Sequence, residues 1–457
     1  MAEGESRQLT RRRFLELAMG AGLAVPLGGS LASCSSSNSG ALGGGSNKSG
    51  KVTELIVPVN TSPWLDAYKK AAAAYQSESG VKVTLREFPY GGLRTAMVNA
   101  IHGGNHPFDI YHLDEPWTGE FYSNGWCTPF DQVDTSYQLD PQIIDYNNLP
   151  RWDATNKRSS ADGKVMGLPL NGNVNVFVYR KDLYQQLGLS VPTTFDQAYS
   201  NGRTSMSRGK TKYGYVARAQ PTQGGQSITY DFMPLLYSYG GGWFDDKWNP
   251  IVDNAGSIAA MNEFKKLLSL GPPQPQTVGQ ADVIAAMQGG QTLQVHTVAA
   301  AAPGFLDPSK STVADKVGFA IMPAGSTGKP TPTSGVWSLT IPDGLAKSRQ
   351  QAALKFITWI LSSKGQEIFA KAGGIPTRKD TYQSGAVPAS AQAYMRVVLQ
   401  SAQVARQSVR YPFSAAMLPV AEQTLANEAS GATPVKEGMD SLANQLRSIA
   451  TKAGFGT

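Results

Sequence analysis

Cysteine is scarce in this chain: Cys34 and Cys127 are the only two among 457 residues. Two thiols cannot form the disulfide framework of a small secreted domain, and they cannot make a zinc site composed of cysteines alone. Cys34 lies in an N-terminal segment with a separate role, considered below. Cys127 is therefore expected to be a single buried thiol.

Histidine is scarce as well, and its spacing decides whether a metal site is expected. His102 and His106 are four residues apart, a spacing that binds metal on one face of a helix, and His112 follows on a predicted strand. Two glycines separate the first pair and Pro107 follows it, so a helix is not expected there. Loop residues near the mouth of a cleft are the favoured interpretation, and a receptor for a metal-bearing solute is the alternative.

Charged residues make up only 16% of the chain, with a formal net charge of +7. A positive balance raises the question of nucleic acid. Apart from residues 11–13, however, the basic residues are scattered, and no basic stripe alternates with aromatic residues. We therefore expect no nucleic-acid partner. So little charge indicates a surface rich in uncharged hydrogen-bonding groups, which suits contact with uncharged polar solutes.

Catalytic motifs are missing too. The sequence contains no G-x-S-x-G, H-E-x-x-H or G-x-x-x-x-G-K-[ST] motif, and neither C-x-x-C nor a dinucleotide-binding glycine pattern. Asp114 and Glu115 are adjacent carboxylates, whereas the acid pair of a glycosidase faces across its substrate at about 5 Å or more. We expect no enzyme activity, no cofactor and no metal, with a secreted glycoside hydrolase as the less favoured alternative.

The N-terminal apolar run at residues 17–27 is too short, and too rich in glycine and proline, to remain in a membrane as a helix. Before it, residues 10–15 read TRRRFL and match the twin-arginine export pattern. After it, residues 31–34 read LASC and resemble a lipobox, in which the sulfur of Cys34 takes a diacylglycerol. The pattern predicts a twin-arginine lipoprotein signal peptide at 1–34, lipid attachment at Cys34 and a flexible Ser/Gly tether at 35–50.

From residue 51 onward, strand-like and helix-like stretches alternate. The predicted strands are 52–59, 81–88 and 108–113, and the predicted helices are 64–77, 93–101 and 115–124. Such alternation indicates an α/β fold with parallel pairing and right-handed crossovers. In sheets of this kind, ligands lie beyond the carboxyl ends of the strands.

A central stretch, residues 167–196, reads GLPLNGNVNVFVYRKDLYQQLGLSVPTTFD. It contains a short apolar run broken by proline, a turn, a strand, a helix that ends at Gly188, and a helix N-cap at Thr194. This order resembles the first hinge crossing of the maltose-type, family 1 extracellular solute-binding proteins of ABC importers. Residues 317–323 and 374–378 resemble the second and third crossings, and the resemblance extends over the whole chain from Lys51.

The resemblance implies an α/β, two-lobed periplasmic-binding-protein-like fold of type II, in which each lobe is a mostly parallel sheet flanked by helices and three hinge crossings join the lobes. It assigns 51–170 and 323–374 to lobe 1, and 171–322 and 375–457 to lobe 2. It also implies a monomeric, lipid-anchored receptor on the outer face of the cytoplasmic membrane. This receptor would capture a sugar, as an oligosaccharide or a sugar derivative, and deliver it to the permease subunits of an ABC importer.

Sugar binding requires flat aromatic faces and short polar side chains. Residues of these kinds lie where the resemblance implies a cleft, and the predicted ligand-binding residues are Asn60, Asp114, Glu115, Trp117, Asn171, Asn173, Trp243, Trp337 and Arg378. For each tryptophan, core packing is the alternative. A glycerophosphodiester is the alternative ligand, because Arg378 could pair with a phosphate. Residues 57–60 read VPVN and lack the aromatic residue that often follows the family's first strand, so the class of sugar is not carried over from any one relative.

Overall fold

The computed structural model describes residues 50–222 and 226–456. The predicted signal peptide with Cys34, and the tether up to residue 49, lie outside these residues. The described chain begins with β1 (Glu54–Asn60), α1 (Leu65–Ser79), β2 (Lys82–Phe88), α2 (Tyr90–His102), β3 (Tyr111–Asp114) and α3 (Glu115–Ser123). This is the predicted alternation, with boundaries that agree to within a few residues.

Local sequence accounts for these first elements. β1 and β2 pair in parallel, with Glu54 opposite Lys82, as the intervening helix requires. α1 buries the face that was predicted from its periodicity, including Tyr68 and Tyr75, and it ends at Gly80 in the left-handed conformation. The side chain of Asp114 caps α3 by accepting a hydrogen bond from the backbone of Glu115.

The middle and C-terminal parts contribute the remaining strands and helices. The middle part forms β4 (Cys127–Thr128), α4 (Phe130–Val133), β5 (Arg151–Trp152), β6 (Lys164–Val165), β7 (Gly167–Asn171), β8 (Asn175–Arg180), α5 (Lys181–Leu187), α6 (Phe195–Ser207), α7 (Ile228–Ser238), α8 (Ala255–Leu268), α9 (Gln280–Gln288), β9 (Gln294–Val298), α10 (Ala302–Leu306) and β10 (Val317–Ala320). The C-terminal part forms β11 (Trp337–Pro342), α11 (Lys347–Ile360), α12 (Ser363–Lys371), α13 (Lys379–Gln383), α14 (Gln392–Val404), α15 (Ser414–Ser430) and α16 (Val435–Lys452).

The central stretch, residues 167–196, contributes one strand to each of two sheets. In the first, β11 pairs antiparallel with β3, β7 and the short β4, so that Trp337 lies opposite Asp114 on one side and Asn171 on the other. The second has the antiparallel order β10-β8-β9. Of the strand pairs in the described residues, β1–β2 alone is parallel. The pairing is therefore mixed, with more antiparallel pairs than the sequence pattern predicted, because β11 returns to the first sheet antiparallel to β3 and β7.

The chain passes from the first sheet to the second between β7 and β8, and it returns between β10 and β11. The backbone of Gly172 donates a hydrogen bond to the carbonyl of Ile375, so the segment predicted as the third crossing lies beside the first. Two local predictions are confirmed here. α5 ends at Gly188 with φ 64°, and the side chain of Thr194 caps α6 by accepting from the backbone of Gln197.

Cys127 is a buried free thiol, as predicted. Burial raises the pKa of this thiol to about 12, which keeps it protonated and unreactive at neutral pH. Across residues 50–222 and 226–456, none of the helices combines the length and the apolar character needed to span a bilayer.

Candidate ligand-binding site

A cavity of about 500 Å³ lies at the ends of β1 and β3 and at the start of β11. Asn60, Asp114 and Trp337 line it from the ends of these three strands. Asn173, which follows the crossing from β7, and Tyr230 of α7 line it from the other side. Its size is typical of sites for small molecules, and its position beyond the carboxyl ends of β1 and β3 is the one predicted from the α/β pattern.

One wall of the cavity is aromatic. Trp64, Tyr90 and Trp337 line it, with the Trp337 ring centroid 5.9 Å from that of Trp64 and 6.0 Å from that of Tyr90. Behind this wall, Trp117 and His112 pack against Trp337 at 5.6 Å and 4.8 Å. Trp337 is thus a wall of the cavity and part of the core at once, and its surroundings hold the indole in one orientation.

Asp114 places a carboxylate beside this wall. Tyr90 donates its hydroxyl to Oδ2 at 2.7 Å, and the backbone of Glu115 donates to Oδ1 at 3.0 Å. Burial raises the pKa of Asp114 to about 7, against the opposing effect of the Tyr90 hydrogen bond. Each oxygen still has a free lone pair, so the carboxylate can accept further hydrogen bonds from a ligand.

Three other residues that line the cavity have unused hydrogen-bonding capacity. Asn60 Oδ1, Trp64 Nε1 and Gln226 Nε2 are buried and have no hydrogen-bond partner among the described residues. Most buried polar atoms are paired in folded proteins, so these three unpaired atoms are available to a ligand in the cavity. One of these atoms accepts and two donate, and hydroxyl groups can satisfy both kinds.

The opposite wall carries Arg218, the single cationic side chain among the lining residues. It is 4% exposed, and its Nε donates to Asp231 Oδ1 at 2.8 Å while its backbone N donates to Oδ2 at 2.8 Å. Its guanidinium also lies over the ring of Tyr230, 4.9 Å from the centroid. The charge of Arg218 is therefore balanced within the protein before any ligand arrives.

A buried chain of hydrogen bonds fixes Asp231 from behind. His296 Nε2 lies 2.9 Å from the Asp231 carbonyl oxygen, and the Tyr215 hydroxyl lies 2.6 Å from His296 Nδ1. Burial lowers the pKa of His296, which favours the neutral ring. This chain holds the pair of Arg218 and Asp231 in place. Sequence analysis missed Arg218, although a charged residue inside the small and apolar run 215–219 was a usable signal.

Four of the nine predicted ligand-binding residues line the cavity: Asn60, Asp114, Asn173 and Trp337. Trp117 lies directly behind the aromatic wall, 5.2 Å from the ring of Tyr90. The predicted positions at the ends of β1 and β3 and at the first crossing lie together at this cavity. These assignments identify positions at the cavity, and contact with a ligand stays a prediction.

The other four predicted residues do not line the cavity. Glu115 is fully buried and accepts hydrogen bonds from Ser334, Val336 and Ser408. Asn171 accepts from the backbone of Ile375, where the first and third crossings meet. These hydrogen bonds hold both side chains at chain segments that join the two sheets.

Trp243 is 1% exposed and belongs to the hydrophobic core. Arg378 donates to Asp140 and Asp380 and to the carbonyl of Leu361, so three acceptors satisfy its guanidinium outside the cavity. Neither position gives the side chain access to the cavity described above.

The histidines give no metal site. α2 ends at His102, one residue beyond the predicted helix 93–101, and His106 lies past that end, so the two do not share a helix face. Among the described residues, no group of three or more His, Cys, Asp and Glu side chains is placed to hold a metal ion.

The chain is similar to proteins of known type. It is 25% identical over 361 residues to the mannitol-binding protein of Pseudomonas aeruginosa, covering 77% of this chain and 79% of that protein. It is also 25% identical over 323 residues to a probable amino-acid ABC transporter periplasmic-binding protein of Sinorhizobium fredii, covering 70% of this chain and 71% of that protein.

The fold of the chain is also similar to that of a solved structure. The crystal structure of an ABC transporter solute-binding protein from Agrobacterium radiobacter in complex with ribitol matches with a TM-score of 0.74 at 22% identity, over 87% of this chain and 99% of that chain. This likeness confirms the two-lobed, type II α/β fold. Residues 60–367 match the model of the bacterial extracellular solute-binding protein family, whose members are binding proteins rather than enzymes, and the chain belongs to this family.

Proposed function

We propose that this chain is the substrate-binding protein of an ABC importer, and that it captures a neutral, polyhydroxylated solute, a sugar or a sugar alcohol. The solute binds in the cavity between the aromatic wall and Arg218 and is then delivered to the permease subunits. The observation that carries the proposal is the pairing of an aromatic wall with a partly unsatisfied carboxylate and unpaired amide atoms around one cavity.

The chemistry of the walls supports a polyhydroxylated ligand. The apolar face of a sugar ring or of an extended polyol can pack on Trp337 and Trp64. Its hydroxyls can donate to Asp114 and Asn60 and accept from Gln226 Nε2. The names of similar proteins point the same way, since they include a mannitol-binding protein, a ribitol complex and a maltose complex. An oligosaccharide fits the same chemistry and stays within the proposal.

An anionic ligand such as a glycerophosphodiester is less favoured. Arg218 is already balanced by Asp231, and Arg378 is held by two carboxylates outside the cavity. The acidic side chain that lines the cavity is Asp114, which repels a phosphate once it is ionised above about pH 7. Charge therefore favours a neutral solute over a glycerophosphodiester.

A thermal-shift panel on the purified protein tests the proposal. Sugars and sugar alcohols should raise the melting temperature with increasing concentration, because a ligand at about 100 times its Kd stabilises the folded state by about 2.7 kcal/mol. Glycerophosphodiesters should leave it unchanged. Stabilisation by glycerophosphodiesters alone, or turnover of a glycoside, would contradict the proposal.

Binding is proposed to close two lobes around the solute. Lobe 1 consists of 51–170 and 323–374, and lobe 2 consists of 171–322 and 375–457. A solute that touches Asp114 and Trp337 on one lobe and Arg218 and Tyr230 on the other stabilises only the closed arrangement. The cavity draws on residues from both ranges, which supports this division. The protein is proposed to act as a monomer.

The raised pKa of Asp114 leads to a pH prediction. Solute hydroxyls donate to the ionised carboxylate, so binding must release the proton that Asp114 holds below about pH 7. We expect affinity to be constant above pH 8 and to fall by up to about tenfold for each pH unit below 7. Titration calorimetry between pH 5.5 and 8.5 measures this dependence of affinity on pH. The Asp114→Asn variant should bind weakly with a flat profile, and an equal slope in that variant would rule Asp114 out.

Export and anchoring are proposed from the N-terminal sequence. The twin-arginine pattern around Arg11 and Arg12 would direct export, and acyl chains on Cys34 would hold the protein to the outer face of the cytoplasmic membrane at about 0.8 kcal/mol for each buried methylene. Cys34→Ala is expected to move the protein from the membrane fraction or to leave its precursor unprocessed. Cys127→Ala is the matched control and should stay in the membrane fraction. An unchanged distribution of Cys34→Ala, with no lipid detected by mass spectrometry, would contradict the anchor.

A further inference from the structure

The N-terminus of α7 is capped by a distant residue. Ser227 occupies the N-cap position but makes no side-chain capping hydrogen bond. Instead Oε1 of Glu422, on α15, accepts from the backbone N of Ser227 at 2.9 Å and of Thr229 at 3.0 Å, and also from the Thr229 hydroxyl. The partners are 195 and 193 residues apart in sequence. A carboxylate at this place also interacts favourably with the positive end of the helix.

The second oxygen of Glu422 holds a different segment. Oε2 accepts from the backbone N of Thr222 at 2.9 Å and from its hydroxyl at 3.3 Å. Glu422 is itself fully buried and does not line the cavity. Three of these five groups are backbone N–H groups, which can only donate, and they reach both oxygens. Burial raises the pKa of Glu422, whereas these hydrogen bonds favour its ionised form.

The segments that Glu422 holds form one wall of the cavity. Thr222 and Ser227 line it, as does Tyr230 one turn into α7. The next residue, Asp231, binds Arg218, which lines the same wall. Glu422 therefore lies behind this wall and accepts hydrogen bonds both from Thr222 and from the start of α7, five residues later in the chain.

We propose that Glu422 is a positioning residue of the ligand site: without touching the solute, its carboxylate fixes Thr222 and the start of α7, and so sets the place of Ser227, Tyr230 and Arg218 in the cavity. The assignment rests on the proposed function and goes beyond it by naming a specificity-setting residue on a C-terminal helix. Misplacing this wall should change which solutes fit as well as how tightly they bind.

The test is Glu422→Gln. The amide nitrogen that this substitution introduces is itself a donor, and it must face at least one of the groups that donate hydrogen bonds to Glu422. D-mannitol, ribitol and maltose are the probes, and Kd is measured by calorimetry well below the melting temperature. We expect affinity for the binding probes to fall by about 10-fold to 100-fold, the cost of one or two charge-assisted hydrogen bonds. The ratio of affinities between probes should also change. A loss of folded protein would scale all affinities equally, so the ratio separates positioning from stability.

Two further variants keep the test decisive. Thr229→Val removes one donor to Glu422 at a buried residue that does not line the cavity, and it should weaken binding by about threefold. Glu437→Gln, at an exposed position of α16, is the matched control and should bind as the wild type does. If Glu422→Gln does not fold, the affinities measured for Thr229→Val decide whether Glu422 positions the wall of the cavity.

The outcomes separate the two claims. Wild-type binding with unchanged Kd values and ratios in Glu422→Gln, or in Thr229→Val where it alone is available, would overturn the assignment and leave the proposed function standing. Failure of the wild type to bind any of the three probes would count against the proposed function, and the assignment would fall with it.

Discussion

Replacing Trp337 with alanine is expected to weaken solute binding by about 2 kcal/mol, or about 30-fold, and to lower the free energy of unfolding by about 3–5 kcal/mol. Both effects follow from one position. The indole lines the cavity, and it also contacts Trp64, His112 and Trp117 while being 4% exposed. Its removal deletes a stacking face for the solute and leaves a cavity in the core.

Trp243→Ala is the matched control for that prediction. Trp243 is 1% exposed and lies in the core away from the cavity, so this variant should lose comparable stability and keep its affinity. Denaturant unfolding and calorimetric titration would be run on both variants. Unchanged affinity in Trp337→Ala, or an equal loss of affinity in Trp243→Ala, would remove Trp337 from the site.

Asp231→Asn is expected to destabilise the protein by about 3–5 kcal/mol, because it leaves the buried guanidinium of Arg218 without a counter-charge. Asp231 is fully buried and Arg218 is 4% exposed, so water cannot replace the lost partner. The same change frees the positive charge that faces the cavity. We therefore expect the variant to gain affinity for anionic solutes relative to neutral ones.

Asp246→Asn provides the comparison for Asp231→Asn. Asp246 is exposed and lies 3.5 Å from Arg158, so its ion pair is screened by solvent and its loss should change little. Urea unfolding compares the two variants, and a thermal-shift panel with sugar phosphates tests the change in preference. A stability loss in Asp231→Asn no larger than that in Asp246→Asn would show that the buried pair is not needed for the fold.

The parts of the site that sequence could predict are those set by local pattern. Asn60 and Asp114 follow from the rule that ligands lie at the carboxyl ends of strands, and both line the cavity. Thr194 follows from helix capping. These residues are fixed by neighbours a few positions away, so a single sequence contains enough information to locate them.

The parts that sequence missed depend on contacts between distant segments. Glu422 meets α7 across more than 190 residues, and no local pattern marks it as a capping group. Arg218 can be recognised as a balanced cation, rather than as an anion-binding residue, only once its ion pair with Asp231 is known. Trp243 and Trp337 both follow glycine-rich or apolar runs, and only packing separates the core residue from the wall of the cavity.

Strand direction was the main gap in the fold prediction. The alternation of strands and helices indicated parallel pairing, which holds for β1 and β2. β11 begins after a crossing, however, and it runs antiparallel to β3 and β7. The direction in which a strand re-enters a sheet depends on the path of the whole chain, which local periodicity does not contain.

A crystal structure of the protein with the solute that gives the largest thermal shift is the most direct test of binding in this cavity. We expect one neutral sugar or sugar alcohol there, packed on Trp337 and within hydrogen-bonding distance of Asp114 and Asn60, with the pair of Arg218 and Asp231 intact. A solute bound elsewhere, or one whose anionic group pairs with Arg218 or Arg378, would contradict it.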